Sequence, residues 1–118
     1  MRAYLNLGKV SPMAAPFRVT PPLLDVLEVL LDAGEQERHG WAIMKASKRT
    51  GPTVYQVLER LAAAKWVQAR WEEQHPELGR PRRRFYRLTP PGVASARALL
   101  AERRPRAWTA PLRPVPGM

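Results

Sequence analysis

Two groups of residues in this chain carry side chains suited to holding an anion. The first is Lys48, Arg49 and Thr50 followed by Gly51, Pro52, Thr53, Tyr55, Gln56 and Arg60. The small residues there let a backbone approach a phosphate or a base edge. Gln56 offers an amide that suits adenine, and Arg60 a planar fork that suits phosphate or guanine. Tyr55 can either bond a phosphate through its hydroxyl or pack on a flank, and both roles fit its position. The second group is Arg80, Arg82, Arg83 and Arg84, packed beside Gly79 and Pro81. Like charges so close repel one another in the free protein. Phosphate tracking, or insertion of one arginine into a narrow minor groove, explains them better than packing does. Glu72, Glu73 and Glu77 stand close enough to neutralise part of that charge, which keeps a solvated loop as the alternative. Glu59 would repel phosphates, so an internal pair with Arg60 or one of the later arginines is its expected role.

Charge distribution supports the same chemistry. Residues 1–37 hold three basic and five acidic side chains, residues 38–106 hold sixteen and five, and residues 107–118 add only Arg113, giving +10 overall. A segment that basic needs an anionic partner or suffers self-repulsion, and nucleic acid is the commonest such partner. Arginine outnumbers lysine sixteen to four, which suits bidentate contacts but equally suits a GC-rich genome. The chain has no cysteine and only His39 and His75, so thiolate metal sites and disulfides are excluded and no cofactor is expected. No nucleophile–base arrangement or phosphate-binding glycine loop is present, and an enzyme is not expected. No apolar run approaches the ~20 residues of a membrane span, and no basic-then-apolar start marks export. A cytoplasmic location is the expectation.

The elements that must position these residues are legible from periodicity and caps. Thr20-Pro21-Pro22 starts a helix that Gly34 ends. It carries seven aliphatic residues in the nine positions from Leu23 to Leu31. That is more than one small domain usually buries, so part of it is expected to meet a second subunit. A second helix runs from His39-Gly40-Trp41 to about Lys48, with Trp41, Met44 and Ile43 facing inward. A third spans about Gly51 to Ala64, burying Val54, Val57, Leu58 and Leu61 and pointing Pro52, Gln56, Glu59 and Ala63 outward. Strands follow over 66–71 and 82–88, with Tyr86 and Leu88 on the core side. Thr89 then caps a last helix to about Arg104. Trp41, Trp66 and Trp71 are read as core or core-edge aromatics, and Trp108 either anchors a tail or does not. The predicted fold is mainly α with a small β-hairpin: a winged helix-turn-helix with a three-helix core, a two-stranded wing and a short C-terminal helix. The predicted division is an N-terminal arm, partly disordered, at 1–19, a domain at 20–104 and a Pro-rich tail at 105–118.

His39-Gly40-Trp41-Ala42-Ile43, Thr50-Gly51-Pro52-Thr53-Val54-Tyr55, and the stretch from Gly79-Arg80-Pro81-Arg82 through Tyr86-Arg87-Leu88-Thr89 and Gly92 together resemble the PadR-like transcriptional regulators. The likeness covers about residues 20–101. Gly51-Pro52 replaces the family's Pro-Gly, and His39 stands where tyrosine is usual. The short last helix is similar to that of short-tailed members, whose dimers form through first and last helices. The resemblance therefore implies a bacterial homodimer meeting through Leu23, Leu27, Leu30, Leu99 and Leu100, bound to double-stranded DNA in the nucleoid. It also implies, as a lesser reading, a small aromatic effector between subunits. The expected function is a DNA-binding regulator, a repressor in the first instance. The third helix would read the major groove, and the arginines at 79–84 would follow the backbone or minor groove. The alternatives are an architectural DNA-binding factor of a mobile element, or a winged-helix module that binds proteins.

Overall fold

The computed structural model describes residues 15–73 and 81–105. The expectations for residues 1–14, for Gly79, Arg80 and Glu77 in the wing, and for the tail from 106 lie outside them. Helix α1 (Pro21–Ala33) starts where Thr20 Oγ1 accepts from the Leu23 N–H at 3.3 Å, and two prolines occupy first-turn positions that need no donor. Gly34, at φ 64°, closes it in the left-handed half of conformational space. Strand β1 (Arg38–His39) leads directly into α2 (Gly40–Ser47), which His39 caps by accepting from the Ala42 N–H through Nδ1 at 3.2 Å. Helix α3 (Gly51–Ala63), strands β2 (Val67–Trp71) and β3 (Arg84–Leu88), and α4 (Pro90–Arg103) complete the order.

The antiparallel sheet runs β1-β3-β2, with Arg38 opposite Tyr86 and Val67 opposite Leu88. It has three strands rather than the two predicted, because β1 adds Arg38 and His39 to the free edge of the hairpin. Two residues are too few to show a period. The expected helices and hairpin all form, with Val54, Val57, Leu58 and Leu61 buried as their spacing requires.

One core joins all the helices to the sheet. Leu23, Leu27 and Leu100 are 0% exposed, and Leu30 and Leu99 1%. These five side chains are therefore consumed where α1 and α4 pack inside a single chain, and none is left to face a second subunit. That corrects the expected dimer contact: α1 sits centrally, against α2, α3, α4 and the sheet, and so uses its aliphatic surplus at home. Two tryptophans also depart from expectation. Trp66 is buried, but Trp41 is 59% and Trp71 54% exposed, since α2 buries its first residue, Gly40, and turns the second outward, and β2 outruns the core. The last residues of the expected arm belong to the domain, for Ala15, Phe17 and Val19 pack on the core, with Phe17 edge-on to Trp66 at 4.9 Å.

A tight junction fixes the hairpin against the helices. The Trp66 N–H reaches back to the Leu61 carbonyl at 2.9 Å, and the Trp66 carbonyl accepts from the Thr89 N–H at 2.9 Å. Thr89 Oγ1 accepts from the Gly92 N–H at 3.0 Å, capping α4. Gly92 thus lies so close that a Cβ there would overlap the Trp66 carbonyl. Backbone cannot yield as a flexible side chain can. Gly92→Ala is expected to cost about 1–3 kcal/mol, as overpacking does, seen as a lower midpoint in thermal denaturation followed by circular dichroism.

Candidate nucleic-acid interface

Helix α3 buries one stripe and exposes the rest. At about 100° per residue, its outer surface divides into two flanks. Thr53, Gln56 and Arg60 share one, and Tyr55 and Glu59 the other. Gln56, Glu59 and Arg60 are all exposed. Lys48, which ends α2 at φ 61°, is exposed immediately before the helix, and the hydroxyls of Thr50 and Thr53 lie 3.2 Å apart in its first turn. Arg49 is different. Its Nε donates to Asp25 at 2.8 Å, and Asp25 also accepts from Arg104 at 3.0 Å, so this guanidinium is bound to α1. Of the expected helix-side contacts, Arg49 is the one the fold has already occupied.

The Tyr55 ring lies against the start of α2. A Cβ on Gly40 would overlap that ring, so glycine at the start of α2 is what lets the aromatic lie there. Tyr55 still keeps 45% of its surface. The wing-side flank of α3 then approaches the sheet at Tyr86. Burial pushes the Tyr86 phenol above its ordinary 10.0; the charge of Arg84 opposes this, and Tyr55 and Glu59 reinforce it. Glu59 makes no salt bridge among the described residues, so the expected pair with an arginine is not formed, although its charge is felt on that side.

At the wing, Glu72 organises the hairpin. Its N–H donates to the Arg83 carbonyl at 2.7 Å, its carboxylate accepts from the Arg83 N–H at 3.0 Å, and its carbonyl accepts from Arg82 Nε at 2.7 Å. Arg82 and Arg83 are exposed. Arg84 stands over the Trp71 ring at 5.0 Å. On the opposite face of the sheet, Arg70 is bound in a fork to Glu37, at 2.7 and 2.8 Å, and lies over Phe85. Hydrogen bonding from Arg70 holds the Glu37 carboxyl below its ordinary value. Nothing in the sequence around Trp71 marks it as a site residue, because its exposure and its partner depend on strand register.

The profile of the Transcriptional regulator PadR-like family matches residues 26–98, from α1 to α4. The chain belongs to the PadR-like family of transcriptional regulators. Its fold is that of winged-helix regulators. A MepR F27L mutant of S. aureus bound to an oligodeoxyribonucleotide is 21% identical, with a TM-score of 0.59 over 95% of this chain and 74% of that one. BpsR of Bordetella bronchiseptica is 26% identical, with a TM-score of 0.58 over 96% and 83%. The smu.1704 protein of Streptococcus mutans is 22% identical, with a TM-score of 0.58 over 85% and 99%. No curated protein matches significantly. Membership makes this PadR-like chain a DNA-binding transcriptional regulator and not an enzyme. Among the described residues no helix is long and apolar enough to cross a membrane.

Because the Tyr86 phenol is raised in the folded protein, the fold holds this proton more tightly than the unfolded chain does. Its contribution is fully present below pH 10.0, the ordinary value, and is lost as pH climbs through the raised value. Denaturant midpoints of the native protein should therefore fall in that alkaline range, and the fall should be shallower in Tyr86→Phe. An equal fall in both would remove Tyr86 as its source.

Proposed function

We propose that this PadR-like regulator is a repressor that binds as a two-fold dimer. The outer flank of α3 enters the major groove, and the wing arginines follow the adjoining backbone or minor groove. The observation that carries this reading is the shared surface of α3 and the wing. Helix α3 runs through the Trp66 junction directly into the wing strand β2, with Gln56, Arg60, Arg82 and Arg83 exposed on α3 and the wing and Lys48 exposed just ahead of α3. Gln56 and Arg60 then read bases or phosphates, with Lys48, Thr50 and Thr53 at the helix start. Arg82, Arg83 and Arg84, with Arg80 beyond the described residues, neutralise phosphates. The dimer must use surface other than the five buried leucines. Val29 and Leu31 of α1 and Val93 of α4 are larger apolar side chains left half-buried on those helices.

Control by a small aromatic molecule is the second part of the proposal. The BpsR structure concerns regulation of its DNA binding by 6-hydroxynicotinic acid. In this chain a cleft of about 970 Å³ is lined by Asp25, Val29 and Arg97, and by Lys48 and Arg49 just ahead of α3. An occupant there would touch the turn that aims the recognition helix. Titrating the DNA complex with aromatic acids and flat aromatic cations should release DNA with one of them. Release by none would remove the effector.

Selection of bound sites from random duplexes should return a pseudo-palindrome with half-sites about 34 Å apart. If each protomer neutralises around four phosphates, log K should fall with log salt at a slope of about −7 per dimer. A single unpaired half-site would overturn the dimer, and salt-independent binding would overturn the phosphate contacts. The triple change of Arg82, Arg83 and Arg84 to Ala should weaken all sequences alike, whereas Gln56→Ala should mainly alter base preference. A promoter–reporter fusion whose output rises on deletion of the regulator would establish repression.

A further inference from the structure

We propose that Trp71 is a positioning residue for DNA binding, its indole holding the Arg84 guanidinium in the orientation the wing presents. This rests on the reading of the wing as a DNA contact and names the residue that prepares it. Trp71 and Arg84 are register partners at the far end of the β2–β3 pair. Strand alternation puts them on the same sheet face as Ala69–Tyr86 and Val67–Leu88, the face turned toward the core and α3. The core ends at Tyr86, so burial does not explain a tryptophan one pair further out, where it is 54% exposed. What it does contact is the guanidinium carbon of Arg84, 5.0 Å from the ring centre.

An exposed arginine samples many rotamers and loses that freedom on meeting a phosphate. Arg84 is confined beforehand, its guanidinium over the indole and in hydrogen-bonding reach of the Tyr86 hydroxyl on the next residue of the same strand face. It forms no salt bridge among the described residues, so its charge remains available. Among the described residues, the two other cation–aromatic pairs lack one of these properties. Arg70, over Phe85, is bound to Glu37 on the opposite sheet face. Lys45, over Trp41, belongs to α2 and not to the wing.

The test is a double-mutant cycle on DNA affinity, with circular dichroism melts to verify folding of each variant. Trp71→Leu should weaken binding of the selected site about fivefold, the scale of a surface cation–π contact, and leave the salt slope unchanged. Trp71→Phe, which retains an aromatic face, should recover most of that loss. Arg84→Ala should weaken binding and reduce the steepness of the salt slope by about one per protomer. Trp71→Leu should then have no further effect in the Arg84→Ala background. Trp41→Leu, equally exposed, should bind as the unaltered protein does. The proposal is overturned if Trp71→Leu binds normally, or if its loss persists undiminished without Arg84. If Arg84→Ala itself binds normally while the unaltered protein binds DNA, the wing contact fails first. If the unaltered protein binds no duplex at all, the DNA reading falls and the positioning role with it.

Discussion

The geometry of the whole surface depends on the junction at Trp66. Within a few ångströms the end of α3, the start of β2 and the first turn of α4 share one residue's backbone donor and acceptor. Trp66 donates back to Leu61 and accepts from Thr89, and Thr89 caps the helix whose Gly92 lies against the same carbonyl. Lys65 accommodates the reversal with a positive φ of 66°. A recognition helix and a wing can act on one ligand only if their separation is fixed. Here it is fixed by backbone hydrogen bonds, which tolerate far less drift than side-chain packing.

Against that frame, the charges separate into those already used and those still available. Arg49 and Arg104 converge on Asp25, and Arg104 also reaches Glu28 at 2.7 Å, so α1, the turn before α3 and the end of α4 are tied together. Arg70 is held by Glu37. These arginines serve the fold. Lys48, Arg60, Arg82 and Arg83 are exposed, and Arg84 lies over an aromatic ring and makes no salt bridge among the described residues. A net charge of +10 therefore overstates what is offered to a ligand overall, and understates how concentrated the offer is along α3 and the wing.

Much of the candidate site was legible because its signals are local. Caps at Thr20 and Thr89 and the terminating Gly34 act over three or four residues, so they read directly from the chain. The aliphatic period of α3 fixed which residues point outward. The glycines of the joined motif have contacts that sequence could not name. Gly40 makes room for the Tyr55 ring and Gly92 for the Trp66 carbonyl, and each contact spans residues distant in the chain.

By itself, then, the sequence determined the helices, the hairpin and the arginine-rich chemistry, since caps, periodicity and charge density are properties of neighbouring residues. Only the tertiary structure decided what those residues face. It buried Leu23, Leu27, Leu30, Leu99 and Leu100 within one chain, used Arg49 on Asp25, added β1 to the sheet and left Trp71 outside the core under Arg84. The reason is that burial and partnership depend on how elements distant in sequence are set against one another. For the wing, strand register made that choice: it brought Trp71 opposite Arg84, where neither residue's own sequence neighbourhood names the other.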